Sequence, residues 1–148
     1  MIVIIGIGIQ MQTFLPYSDF KRSAQCLDTK RLGKQRVEAL QILKALYIPD
    51  YGWANHPATK MWGDYPMALG LYMNVCIDEW ISRGYNNTMS KATIDSDYLV
   101  MPAWLGNTRF HDSHKSNLLK KDYEFYKQFN WNITDSIPYY WNGYGKGE

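Results

Sequence analysis

With only two cysteines in 148 residues, Cys26 and Cys76, the chain has no disulfide framework and no zinc knuckle. Both cysteines fall on apolar stripes of expected helices. They read as buried free thiols in a reducing compartment, where apolar surroundings disfavour the thiolate that nucleophilic catalysis needs. Net charge is also scarce: 16 Lys and Arg against 14 Asp and Glu leave +2. No global basic field marks a nucleic-acid binder, so any such site must be a local patch. No apolar run approaches the ~20 residues that span a bilayer. The opening MIVIIGIGIQ is too short for a span and lacks the positive leader and cleavage pattern of a signal peptide. Its Gly6 and Gly8 have neither the third glycine nor the following helix of a dinucleotide fold, and the GxSxG elbow of a serine hydrolase is missing. There is no internal repeat and no low-complexity tract. These absences leave a cytoplasmic protein with no membrane association, no cofactor and no resident metal as the expectation.

What the chain has in quantity is aromatic rings, 16% of residues with 6 Trp and 12 Tyr, which serve as core filling or as platforms on which bases stack. The length fits one domain. Met11 is the more natural start, so residues 11–148 are expected to form a single domain and residues 1–10 an apolar extension or added strand. Ser18 or Asp19 can cap a short helix running to Leu27. Asp28 or Thr29 can begin a long one that stops before Pro49. PDYGWANHP reads as a loop and ATKMW as one or two helical turns. Pro66 at a first helical position and Gly84 just past an end bracket a third helix over 66–83. A basic helix is expected from about Ser116 to Phe129, and IPYYWNGYGKGE as irregular chain that frays. Only residues 2–9 and 98–101 resemble strands. The expected fold is all-α, a compact bundle of three to four main helices with long loops, monomeric, with Leu32, Leu40, Leu43, Leu69, Tyr72, Met73 and Trp80 in one core.

Three polar clusters stand apart from this packing pattern. The first lies on the long helix, where Lys30, Arg31, Lys34, Gln35 and Arg36 surround a lone carboxylate, Glu38. Cations can hold phosphates while one partly desolvated carboxylate transfers a proton or stabilises a developing cation. A solvated helix face with a Lys34–Glu38 pair explains the same pattern without a ligand. The second cluster is Trp53, Asn55 and His56, on a loop whose side chains are free to meet a ligand. The third is Arg109, His111, Ser113, His114, Lys115, Ser116 and Asn117, offering hydroxyls, cations and helix N-terminal amides together. Trp53, Trp62 or Trp104 could stack on an extruded base. Glu38 is expected to face a cleft shared with Arg31 or Arg36 and with segment 109–117. A metal site on His56, His111 and His114 remains an alternative, although HxxH without a further spaced ligand is a common accident.

The runs MQTFLPYSDF, LDTKRLGKQRVEALQIL, GWANHPATKMWGDYPMALGLY, EWISRGY, PAWLG, HDSHKSNLLKKDYEFY and PYYW resemble a family of small bacterial and phage proteins. That family is in turn distantly similar to the pyrimidine dimer DNA glycosylases of the phage endonuclease V type. The resemblance implies a compact all-α DNA repair enzyme acting on damaged or modified duplex DNA, with a glycosylase step and an associated abasic lyase step. It also implies a catalytic glutamate, matched by Glu38, with Arg36 as the neighbouring arginine. An N-terminal amine would attack C1′ to give an imine. Met11 is the candidate for that amine, with Lys30 or Lys34 as side-chain substitutes. The rival readings are a non-catalytic protein that binds nucleic acid or a small nucleotide through the same clusters, and a metal-dependent hydrolase.

Overall fold

A computed structural model describes residues 11–148, and the expected extension over 1–10 lies outside them. Six α-helices make up the described chain: α1 Phe20–Cys26, α2 Thr29–Tyr47, α3 Pro57–Trp62, α4 Pro66–Ser82, α5 Thr108–Lys121 and α6 Tyr123–Tyr126. The expected all-α class is what is found, and among the described residues there is no strand. Residues 98–101, read as strand-like, instead close the 3-10 turn Ser96–Tyr98 and continue as exposed chain, with Val100 59% accessible. Their alternation has no sheet to pair with.

Local chemistry sets the helix ends. The Asp19 carboxylate accepts from the Arg22 amide and that of Asp28 from the Arg31 amide, each satisfying an otherwise orphaned N–H. His56 caps α3 through Nδ1, with Pro57 at the first helical position, where its missing N–H costs nothing. Beyond α4, Gly84 adopts φ +89°, a conformation that favours glycine.

The basic helix differs most from expectation. It starts at Thr108, capped by the Asn107 side chain, and breaks at Asp122, whose carboxylate then caps α6. The segment 109–117 is therefore helix interior, and no free N-terminal amides lie at Ser116. The inward stripe of α5 is Phe110, His111, Ser113, His114, Ser116, Leu118 and Leu119. An apolar-periodicity count misses it because four of its seven members are polar.

Helices α2 and α4 pack directly on one another and carry the core, in which Leu32, Leu69, Tyr72 and Met73 are buried while Leu40, Leu43 and Trp80 pack against them. Close approach is possible because Gly33 sits under the Trp80 ring: a Cβ there would lie 2.9 Å from the indole. Gly33→Ala should therefore destabilise the fold by about 1–2 kcal/mol. Overpacking costs roughly 1–3 kcal/mol and improved helix propensity returns up to about 1. Urea denaturation checks this, and a stabilised variant would contradict the packing.

Candidate active site

Residues 11–16 run through the core outside any helix, all of them buried. Buried backbone without a ladder partner must find side chains to bond, and here, apart from the Thr13 N–H, which donates to the neighbouring Gln12 side chain at 2.9 Å, the bonds come from far along the sequence. The Gln12 N–H donates to Glu38 Oε2 at 3.2 Å and the Gln12 carbonyl accepts from Gln35 Nε2 at 2.7 Å. The Phe14 N–H donates to Gln35 Oε1 at 2.8 Å, and the Phe14 carbonyl accepts from the Tyr72 hydroxyl at 2.8 Å. Trp62 Nε1 donates to the Thr13 hydroxyl at 3.0 Å. At Leu15 two histidines close the series. The Leu15 N–H donates to His114 Nδ1 at 2.8 Å, and His111 Nδ1 lies 2.7 Å from the Leu15 carbonyl. Because His111 Nε2 accepts from the Gly106 N–H, its proton sits on Nδ1, where it donates to Leu15. These groups fix the position of one backbone nitrogen, that of Gln12, against one carboxylate.

Glu38 lies at the floor of a cavity of about 200 Å³ lined by Phe14, Lys30, Arg31, Lys34, Gln35, Glu38 and Lys121. Four cations and one carboxylate share this small space. Burial pushes the Glu38 carboxyl up to about 7, although the Gln12 N–H, Lys34 and Lys121 pull the other way. A carboxyl poised there can exchange a proton at neutral pH, which is the condition general acid–base catalysis requires. Burial also lowers Lys121, with Arg31 and Lys34 adding to the drop. Arg31 is steadied by Asp28 at 3.2 Å. Asp28 in turn is hydrogen-bonded by the Tyr126 hydroxyl.

Of the residues read from the sequence, Arg31, Lys34, Gln35 and Glu38 come together here, with Lys30 beside them. Met11 is buried in the core, and the nitrogen that meets Glu38 belongs to its neighbour Gln12. Arg36 points away, stacked over Trp80 at 4.2 Å and bonded to Asn87 at 2.9 Å. Segment 109–117 does not reach the cavity. His111 and His114 are engaged by Leu15, and burial drives His114 down to about 3. Arg109 lies 4.1 Å over the Tyr140 ring, and Lys115 is near Asp112 and the Tyr17 ring. The phosphate-binding cleft expected between α2 and this segment is thus walled instead by Lys121, one turn past it.

On the other loop, Trp53 is half-buried beside Tyr51, Asn55 is exposed, and His56 caps α3 with its ring 5.6 Å from Trp141. Trp62 and Trp104 are sealed in the core and offer no stacking face. No group of three His, Cys, Asp or Glu side chains gathers among the described residues, so His56, His111 and His114 do not form a shared ligand set. Cys26 and Cys76 are free and buried, each thiol pushed up to about 12 chiefly by burial.

Sequence reasoning missed Phe14, Lys121 and the Gln12 amide. Only the density of polar side chains on an otherwise buried α5 hinted that something needed fastening.

The sequence matches the family model described as pyrimidine dimer DNA glycosylase over residues 11–93, more than half of the chain. No curated protein and no solved structure matches it. The matched stretch contains Gln12, Gln35, Glu38 and the three cations of α2 that line the cavity, whereas Lys121 lies beyond it.

Proposed function

The chain belongs to the pyrimidine dimer DNA glycosylase family, and from that premise we propose that it excises a damaged pyrimidine from duplex DNA with Glu38 as the catalytic group. The observation that carries this reading is the near-neutral carboxyl held by the Gln12 amide inside a ring of four cations. Breaking an N-glycosidic bond leaves positive charge on the sugar. A carboxylate already desolvated beside C1′ stabilises that charge without reorganising, and it can take the proton of the water that adds. Lys30, Arg31, Lys34 and Lys121 hold the phosphates that flank the extruded nucleotide. The test is incubation with ultraviolet-irradiated duplex, followed by detection of abasic sites. Wild-type protein that leaves the irradiated duplex intact would sink the reading.

The cationic ring makes a separate prediction. Affinity for plain duplex should fall with salt on a log-log slope of roughly 3 to 4 in magnitude, and alanine at any one of the four positions should flatten it by about one. Arg36→Ala should leave the slope unchanged, because Arg36 is committed to Trp80 and Asn87. A slope near zero would remove DNA as the partner and favour a small nucleotide.

A lyase step is a second reading favoured by one distance. Backbone cleavage between Met11 and Gln12 would leave an α-amine 3.2 Å from Glu38, placed to form an imine with an abasic sugar. Mass spectrometry of the protein's N-terminus, with borohydride trapping on abasic DNA, tests it. A trapped adduct on any other residue would reject it.

A further inference from the structure

Of the four cations around Glu38, three are lysines and one is an arginine, and among the described residues only the arginine forms an ion pair. Asp28 is its partner, and Tyr126 braces that partner from behind. Asp28 Oδ2 accepts the Arg31 N–H at 3.3 Å and so caps α2, while Oδ1 accepts from Arg31 Nη1 at 3.2 Å and from the Tyr126 hydroxyl. The same hydroxyl accepts the Asp28 N–H at 3.1 Å, so Tyr126 grips Asp28 by backbone and side chain together. Tyr126 is itself fixed. It is fully buried, its ring is stacked on Trp131 at 6.0 Å, and Trp131 Nε1 in turn donates to the Tyr17 hydroxyl at 2.8 Å. Burial works against the Asp28 carboxylate, but the hydrogen bonds from Tyr126 and Arg31 outweigh it and hold the acid below its ordinary value, so the anchor is charged at neutral pH. A charge is more than the cap requires, since asparagine caps a helix as well as aspartate does. It also opposes phosphate binding, because an anion 3.2 Å from Arg31 competes for the same guanidinium. What the charge gives is position: with Nη1 committed to Asp28, the planar fork that lines the cavity is held in one orientation and its other N–H groups are left for phosphate.

We propose that Asp28 and Tyr126 are positioning residues of the Glu38 cavity, which fix the Arg31 guanidinium for a phosphate of the reacting nucleotide while weakening the protein's hold on undamaged duplex. This rests on the excision reading and adds to it a division of labour among the cations. The three lysines supply attraction that any duplex can use, and Arg31 sets the register of the sugar against Glu38. Asp28 and Arg31 lie inside residues 11–93 and Tyr126 outside them, so the matched part of the chain carries the arginine and its anchor while the brace comes from α6, just beyond Lys121.

The experiment measures single-turnover excision on irradiated duplex and affinity for plain duplex in wild type, Asp28→Asn, Tyr126→Phe and Asp19→Asn. Asparagine still caps α2 and phenylalanine still stacks on Trp131, so both test variants keep the packing. Asp19→Asn removes the same charge from the cap of α1 and serves as the control. Asp28→Asn should lower the rate by about 10- to 100-fold, up to the loss that a misplacement of roughly 1 Å brings. It should also raise plain-duplex affinity by about 2- to 5-fold, because one competing ion pair is released. Tyr126→Phe keeps the charge, so it should slow excision with affinity unchanged, and Asp19→Asn should keep the wild-type rate. In an Arg31→Ala background neither Asp28→Asn nor Tyr126→Phe should slow the reaction further, since both act through the guanidinium that is gone. A wild-type rate in Asp28→Asn, a plain-duplex affinity that does not rise, or losses that multiply with that of Arg31→Ala each overturn the proposal and leave excision by Glu38 standing. An inactive wild type, with duplex binding intact, overturns the excision reading and this inference together.

Discussion

Glu38→Gln should lower the rate of base excision by about 10²- to 10⁴-fold, the range typical of a positioned proton-transfer group, while holding plain-duplex affinity within a few-fold. Glutamine keeps the shape and can still accept from the Gln12 amide, and the four cavity cations are untouched. Only the charge required in the transition state is lost, which separates kcat from binding. The wild-type rate should rise with pH through about 7 as Glu38 ionises and level off above it. The residual rate of the glutamine variant should be flat over the same range. Single-turnover assays from pH 5.5 to 8.5 test both statements, and wild-type turnover in Glu38→Gln would remove Glu38 from the chemistry.

A stability effect of comparable size follows from two buried groups that respond to acid in opposite directions. His114 is fully buried and neutral, its folded pKa of about 3 lying below the ordinary 6.5. As pH falls through 6.5 the unfolded chain takes up a proton that the folded chain refuses, so stability drops by about 1.4 kcal/mol per pH unit toward pH 3. His111, lowered by burial, adds to the same loss. Glu38 behaves in reverse: its folded value of about 7 lies above the ordinary 4.5, so the folded chain is protonated first and gains stability as pH falls between the two. From about pH 6.5 to 4.5 the two contributions largely cancel. Below 4.5 the histidines act unopposed and the wild-type Tm should fall steeply.

In Glu38→Gln that balance is gone. The variant should be more stable than wild type at pH 8, by up to about 3 kcal/mol, because an ionised buried carboxylate has been replaced by a neutral group. It should then lose stability from pH 6.5 downward rather than from 4.5. Calorimetry of both proteins between pH 8 and 4 measures this directly. Equal stability at pH 8 would mean that the Glu38 carboxylate is hydrated and not desolvated in its cavity.

Helix boundaries were legible in the sequence wherever a cap or breaker has a local cause, as at Asp19, Asp28, Pro66 and Gly84. Glu38 was legible for a similar reason, since a lone carboxylate among cations on one helix face is visible within the stretch from Lys30 to Glu38. The α5 stripe was not, because His111, Ser113, His114 and Ser116 count as polar in any periodicity. They are buried only because the Leu15 backbone and the 137–140 strap give each a partner, and nothing local announces those partners. Lys121 escaped notice for the same reason: its place beside Glu38 depends on how the end of α5 meets α2. The third cluster was noticed for its chemistry, and the structure uses that chemistry to fasten the backbone.

The way Leu15 is held also bears on how the protein is made. Its two histidine partners are encoded 96 and 99 residues downstream, and the capping Asp28 waits for Tyr126 at a separation of 98. Loops of that length close late, since their entropy must be met before the contacts they allow give anything back. During synthesis α1 to α4 are translated before either histidine, so Gln35, Trp62 and Tyr72 can fasten residues 12–14 while Leu15 is still unheld. Chains ending before α5 would carry the three cavity cations of α2 without Lys121 and without either histidine that holds Leu15.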